Sequence, residues 1–330
     1  MLACVAGIMS VSACGGLGNA AVANEHGPVV VGDIPGTFFI EPDDGVMPIV
    51  RAIDGAQRSI DMTMYLLTDR EVISALERSA GRGVHTRVLL EEHPVGSGPG
   101  NRSIYRQLEQ VGIAVKWSNP RFRLTHEKSL VIDDHEAFIM SLNLTYSAVT
   151  HNREYGFIDT DPADVQADEA IFQADWNRTT IVPVDPHLVV SPVNARQRLL
   201  ALIGSARHSL LLEQEELDDQ QIEQALIAAA KRGVRVQLIL PVLKGEQSSH
   251  ADAIREVEQG GVSVRGLAVL YLHAKMVLAD SRILFIGSEN FSTASLNDER
   301  ELGILLANPD AIQRVEQTFA RDWSASRPFA

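Results

Sequence analysis

The chain has only two cysteines, Cys4 and Cys14, both close to its start. From Gly15 onward it has no thiol, which excludes a disulfide framework, a cysteine nucleophile and a cysteine-ligated zinc from the main body. It has no run of 18 apolar residues, so nothing in it reads as a membrane-spanning helix. A basic tail is missing, as is any stripe of arginine and lysine interleaved with aromatics, and the net charge of −14 repels nucleic acid and anionic membranes at long range. His93, His151, His208 and His250 show no metal-ligand spacing.

Charge is also absent from the first 23 residues, where an apolar core runs from Leu2 to Ala13. That is the length of a signal-peptide core, so residues 1–23 are expected to be an export leader. Two processing patterns stay open: lipidation of Cys14 within Val11-Ser12-Ala13-Cys14, or cleavage after Ala21-Val22-Ala23. Either places the protein in the periplasm, outside the cell or on a lipid anchor. Residues 24–36 read as a linker.

The remaining length suits two domains or one duplicated body, and 45% hydrophobic content supplies its core. Duplication is written into the chain. His126, Lys128 and Asp133 stand in the order H-x-K-x4-D, and His273, Lys275 and Asp280 repeat it 147 residues later. The same shift carries Ser141 and Asn143 onto Ser288 and Asn290, Glu154 onto Glu301, and Phe172 and Trp176 onto Phe319 and Trp323. Residues 37–180 and 181–330 are therefore expected to be two copies of one unit.

Each copy alternates short β-prone runs with amphipathic helical ones, as in strand 59–67, helix 71–81 and strand 84–90. That order predicts an α/β fold of two homologous α/β/α halves, with mixed, mostly parallel sheets packed about a pseudo-twofold axis. The loops at 92–101 and 241–250 follow corresponding strands and are candidates for a pocket rim. Trp176 and Trp323 read as packing residues at helix ends. Glu213, Glu215, Glu216, Asp218 and Asp219 lack the spacing of a calcium loop and read as a solvated acidic face.

Two in-register H-x-K-x4-D motifs, followed by Met140-Ser141-Leu142-Asn143 and Gly287-Ser288-Glu289-Asn290, resemble the signature of the phospholipase D superfamily. The resemblance covers about residues 37 to 325. It implies a phosphodiesterase in which His126 and His273 act from opposite sides of one phosphorus, one attacking to form a phosphohistidine and the other protonating the leaving alcohol. His126 is the implied nucleophile. Lys128, Lys275, Asn143 and Asn290, with Ser141 and Ser288, would hold the non-bridging oxygens, so the chemistry would need no metal and no cofactor. Glu154 and Glu301, each 28 residues beyond the histidine of its own copy, would take the Nδ1 proton. Asp133 and Asp280 fall where a strand turns and are assigned to structure.

Met140 stands where the superfamily pattern has glycine, and its side chain is expected to narrow the first phosphate subsite. The leading expectation is an exported phospholipase D acting on phospholipid as a monomer, with membrane contact through Cys14 if it is lipidated. Alternatives are a cardiolipin-synthase-like transfer between lipids, disfavoured by the missing apolar run, and a metal-independent nuclease using Arg121, Arg123, Lys128 and Lys275, disfavoured by the net charge.

Overall fold

The computed structural model describes residues 29, 31–96, 100–181, 185–242 and 251–329. The expected leader with Cys14, and most of the 241–250 loop, lie outside them.

The first half runs β1 (Gly36–Glu41), α1 (Met47–Gly55), β2 (Ser59–Met64), α2 (Arg70–Gly81), β3 (His85–Leu90), α3 (Arg102–Gln110) and β4 (Ala114–Trp117). It continues through β5 (Lys128–Ile132), β6 (Glu136–Met140), α4 (Tyr146–Thr150), β7 (Asn152–Asp159) and α5 (Pro162–Trp176). The second half opens with β8 (Leu188–Ser191), α6 (Ala195–Ser205), β9 (Ser209–Gln214), β10 (Leu217–Asp218), α7 (Gln220–Lys231), β11 (Arg235–Pro241) and α8 (Ala251–Gln259). It ends with β12 (Ser263–Leu267), β13 (Tyr271–Leu272), β14 (Lys275–Ala279), β15 (Ile283–Gly287), β16 (Phe291–Ser292), α9 (Thr293–Asn297), β17 (Glu301–Leu306) and α10 (Pro309–Ala325).

Local chemistry explains the boundaries. Asp69 caps α2 by accepting from the N–H groups of Glu71 and Val72, and Asp219 caps α7 through Ile222 N–H. Both helices stop before a glycine in the left-handed region, Gly83 at φ +85° and Gly233 at φ +91°. Helix α5 starts at Pro162 because Asp161 caps it, accepting from Ala163 and Asp164 N–H, and Pro162 suits its first turn.

The two sheets share one topology. The first is ordered β1-β7-β6-β5-β2-β3-β4 and the second β8-β17-β15-β14-β9-β11-β12. Within each of these orders only the last three strands are mutually parallel, and the rest pair antiparallel. The expectation of mostly parallel sheets is thus corrected. Tight turns such as Asp133-Asp134 leave no room for the crossover that parallel neighbours require, so the motif strand folds straight back on itself.

Each half has its own apolar core under its helices α1–α2 or α6–α7. A third core lies between the sheets and joins the halves, with Phe38, Tyr155 and Phe157 meeting Val190, Met276, Ile286 and Ile304, flanked by Ile171 of α5 and Phe319 of α10. Trp176 and Trp323 stack on Phe172 and Phe319 at 5.6 and 5.7 Å, at the ends of those helices.

Candidate active site

His126 and His273 lie just before β5 and β14, and Lys128 and Lys275 open those strands. The two imidazole rings face each other across a cleft, with centroids 6.5 Å apart. The cleft has a volume of ≈ 960 Å³ and is walled by Asn143, Asn290, Glu215, Tyr65 and Tyr271 besides the histidines. It opens beyond the carboxyl ends of β2 and β9, where α/β sheets place their ligands.

The glutamates are exchanged between halves. His126 Nδ1 bonds to Glu301 at 3.0 Å, and His273 Nδ1 to Glu154 at 2.9 Å. Glu154 therefore serves the histidine of the other copy, not the one 28 residues before it, which corrects the pairing expected from the repeat. The backbone shows why: the His126 N–H donates to Arg300 O (2.9 Å) and the His273 N–H to Arg153 O (3.2 Å), so each histidine segment runs beside the other half's glutamate strand. Arg153 and Arg300 lock this exchange. Arg153 Nε donates to Asp322 at 2.6 Å and Arg300 Nε to Asp175 at 2.7 Å, both across the halves and both nearly fully buried. Sequence reasoning passed over these four residues, although they repeat at the same 147-residue shift.

Ser141 and Ser288, expected at the phosphate, stand behind it and are fully buried. Ser141 Oγ donates to Glu154 (2.7 Å) and accepts from Tyr155 N–H (3.0 Å), and Ser288 Oγ accepts from Leu302 N–H (3.0 Å). They orient the glutamate strands. Asn143 and Asn290 do reach the cleft, each with a buried Oδ1 that has no hydrogen-bond partner. Asp133 accepts from the N–H groups of Gln57, Arg58 and Ser59 at 2.7–2.9 Å, and Asp280 likewise from Arg207, His208 and Ser209. Both have positive φ, 55° and 53°, and tie the motif turn to the start of the neighbouring strand.

Met140 does not narrow a phosphate subsite, because its side chain is fully buried in the first-half core beside Leu142. Its counterpart must be glycine because Glu289 folds back in the second half: a Cβ on Gly287 would lie 2.4 Å from the Glu289 carboxylate and 2.5 Å from Gly303 Cα.

The acidic run from Glu213 to Asp219, at the end of β9 and beyond it, is not a solvated face, since only Asp218 of its five carboxylates is exposed. Glu213 is fully buried and accepts from Tyr155 OH, and Asp219 pairs with Arg196. Glu215 enters the site, where its Oε2 lies 2.6 Å from Lys275 Nζ and 3.4 Å from His273 Nε2 while Tyr271 OH donates to Oε1. Registers with the motif strands place Glu215 where the first half has Tyr65. Tyr65 instead sets its ring edge-on to His126 at 4.6 Å and lies 5.0 Å from Lys128 Nζ.

Two similar half-sites thus differ electrically. Burial and the charges of Lys128 and Lys275 hold His126 well below the usual imidazole range, so it is neutral. Burial pushes Lys128 down to about 7 and Glu301 up to about 7. Around His273 burial is overcome: His273 and Lys275 keep both Glu154 and Glu215 below the usual carboxylate range. His273 is flanked by a carboxylate at each ring nitrogen, and His126 by one at Nδ1.

Two histidines converging from duplicated halves, each fixed at Nδ1 so that Nε2 faces the cleft, define a site for phosphoryl-centred displacement. The family described as "Cardiolipin synthase, PLD-like domain" matches residues 49–176 and 199–323, and the chain belongs to it, within the phospholipase D superfamily. "Cardiolipin synthase 2" of Bacillus cereus is 25% identical over 86% of this chain and 63% of its own length. "Cardiolipin synthase B" of Salmonella typhi is 27% identical over 81% of this chain and 75% of its own. The chain thus spans just under two thirds of the Bacillus relative. Among solved structures, the phosphatidylserine synthase of Haemophilus influenzae shares the fold at TM-score 0.67 with 14% identity, covering 90% of this chain and 89% of that one. The polyphosphate kinase of Porphyromonas gingivalis does so at 0.69 with 17% identity, covering 88% and 50%.

Proposed function

We propose that this protein is a phosphatidyl transferase of cardiolipin-synthase type, moving a phosphatidyl group from one phospholipid to a hydroxyl of another. The observation that carries the lipid reading is the rim of the cleft. Among the described residues, Val95, Val242, Val269 and Tyr271 are exposed large hydrophobics that all line this one cleft, an apolar patch suited to acyl chains and not to a polyanion. Arg121 and Arg123, the basic residues a nuclease reading needs, are not on its wall.

Relatives named as cardiolipin synthases favour transfer over the hydrolysis expected from sequence. No helix among the described residues is long and apolar enough to cross a membrane. That no longer counts against transfer, since the chain matches only part of the Bacillus relative.

In the proposed mechanism neutral His126 attacks phosphorus through Nε2, with Glu301 balancing the charge that develops on its ring. His273, between Glu154 and Glu215, donates a proton to the leaving alcohol and then takes one from the incoming hydroxyl. Lys128, Lys275 and the two asparagine amides hold the non-bridging oxygens. Both histidines come from one chain, so a single copy completes the site.

The test supplies phosphatidylglycerol vesicles and follows products by mass spectrometry. Cardiolipin with free glycerol supports transfer. Phosphatidate with glycerol and no cardiolipin returns the reading to hydrolysis, and cleavage of oligonucleotide with inert lipid refutes the lipid reading.

A further inference from the structure

The two half-sites hold different side chains at one matched position, and only one of these carries charge. Tyr65 and Glu215 each follow the strand residue that pairs with a motif lysine, Met64 with Lys128 and Gln214 with Lys275. The Tyr65 hydroxyl is tied to the loop after β3, accepting from Val95 N–H at 2.6 Å. The first half thus brings no carboxylate to this position.

Glu215 stands instead beside the histidine that serves as acid and base. Its side chain is 17% exposed, lines the cleft, and is held at Oε1 by Tyr271 OH at 2.8 Å. Its Oε2 lies 2.6 Å from Lys275 Nζ and 3.4 Å from His273 Nε2. Against its burial, His273 and Lys275 hold the carboxyl below the usual range, so it is ionised. A phosphoryl oxygen that takes Lys275 draws the ammonium away from Oε2, while Tyr271 keeps Oε1 in place. The freed oxygen then needs another donor, because an ionised carboxylate oxygen left unbonded away from water is costly.

His273 fixes where that donor stands. A hydroxyl passing its proton to an imidazole lies roughly 2.6–3.2 Å from the nitrogen, which puts it next to Glu215 Oε2. A simple alcohol has one hydroxyl proton and gives it to His273; a vicinal diol has a second for the carboxylate.

We infer that Glu215, held by Tyr271, selects an acceptor with two adjacent hydroxyls, such as the glycerol head group of a phospholipid. The inference rests on the transfer reading above and adds to it the side chain that recognises the acceptor. In the second step the acceptor oxygen bonds to phosphorus as the bond from phosphorus to His126 Nε2 breaks, its electron pair returning to the imidazole. The reacting hydroxyl gives its proton to His273 Nε2, and the neighbouring hydroxyl keeps its own and donates a hydrogen bond to Glu215 Oε2. The first head group leaves from the same side, so a glycerol leaving group meets the same carboxylate.

The experiment reads how the phosphohistidine is partitioned, not how fast it forms. The full chain, supplied with a phosphatidyl ester of p-nitrophenol, is given equal concentrations of propylene glycol and n-propanol, or of propylene glycol and ethanolamine, and the lipid products are quantified by mass spectrometry. Only folded chains yield product, so the ratio is independent of how much of a variant folds. Wild type should favour the propylene glycol ester over the propanol ester by about tenfold or more, the worth of a hydrogen bond to a charged group. Glu215→Gln should cut that preference severalfold, Glu215→Ala should bring it to parity, and Tyr271→Phe, which frees Oε1, should weaken it. Equal use of the two alcohols by wild type, or a preference unchanged in Glu215→Ala, overturns the inference and leaves transfer standing. A preference for ethanolamine over propylene glycol also overturns it, by assigning the carboxylate to an ammonium. Phosphatidate as sole product in every mixture overturns the transfer reading itself, and the inference with it.

Discussion

The exchange of glutamates between halves makes a prediction that pairing within each half contradicts. Consider a His273→Ala background supplied with a phosphatidyl ester of p-nitrophenol, whose leaving group needs no proton. Only His126 then reacts, and its acylation-like burst of nitrophenolate reports attack on phosphorus. In this background Glu154 has lost its partner, so Glu154→Gln should leave the burst rate nearly unchanged. Glu301→Gln removes the charged acceptor 3.0 Å from His126 Nδ1. A hydrogen bond to a charged group is worth ~1.5–3 kcal/mol, and at ~1.36 kcal/mol per decade the burst should slow by about 10- to 150-fold. Because burial holds Glu301 at about 7, the deficit should be largest above pH 7. It should shrink below that, where the wild-type carboxyl is itself neutral. Stopped-flow absorbance measures the burst, and mass mapping places the adduct. A burst slowed by Glu154→Gln and spared by Glu301→Gln would refute the exchanged pairing; an adduct found only on His273, in a His126→Ala chain, would reverse nucleophile and acid.

Replacing Glu215 by glutamine should tighten inhibition by vanadate about tenfold, since the anion no longer displaces a carboxylate from Lys275, a contact worth ~1.5 kcal/mol or more; unchanged inhibition would place Glu215 outside the anion's path. Asp133→Ala or Asp280→Ala strands three backbone donors apiece and should destabilise by ~1–3 kcal/mol in denaturant melts, with kcat of the folded fraction preserved; a selective loss of kcat would give these residues a catalytic role instead. Burial raises Glu41 and Glu213 to about 8 and Glu127, Glu169, Glu299 and Glu301 to about 7, six carboxyls against two groups that burial shifts the other way, His126 well below its usual range and Lys128 down to about 7. Between about pH 5 and 7 the folded state therefore binds more protons than the unfolded one, and stability should fall as pH rises through this window. Calorimetry should show a lower melting temperature at pH 7.5 than at pH 5.5, by at least about 2–4 °C if only ~1.4 kcal/mol is lost; a rise would mean that buried cations compensate these acids.

The repeat and its chemistry are legible in the residues themselves. A 147-residue shift that preserves histidine, lysine, asparagine and glutamate declares two copies of one reactive unit, because side-chain type and spacing along a strand are local properties. The same shift cannot say which copy's glutamate meets which histidine, since exchanged and unexchanged pairings are equally periodic. Only packing decides it, through the sheet interface that lays Arg153 beside His273 and Arg300 beside His126. Glu215 was unreadable for a related reason. In the chain it belongs to an acidic run, and it becomes a partner of Lys275 only because β9 and β14 pair in a register that ends at the cleft. The mostly parallel expectation failed likewise, since periodicity marks strands but not their direction, which the tight motif turns impose. Local sequence specifies which groups exist and which face of an element they occupy. Long-range contacts, here between residues more than a hundred positions apart, decide which of those groups share a proton.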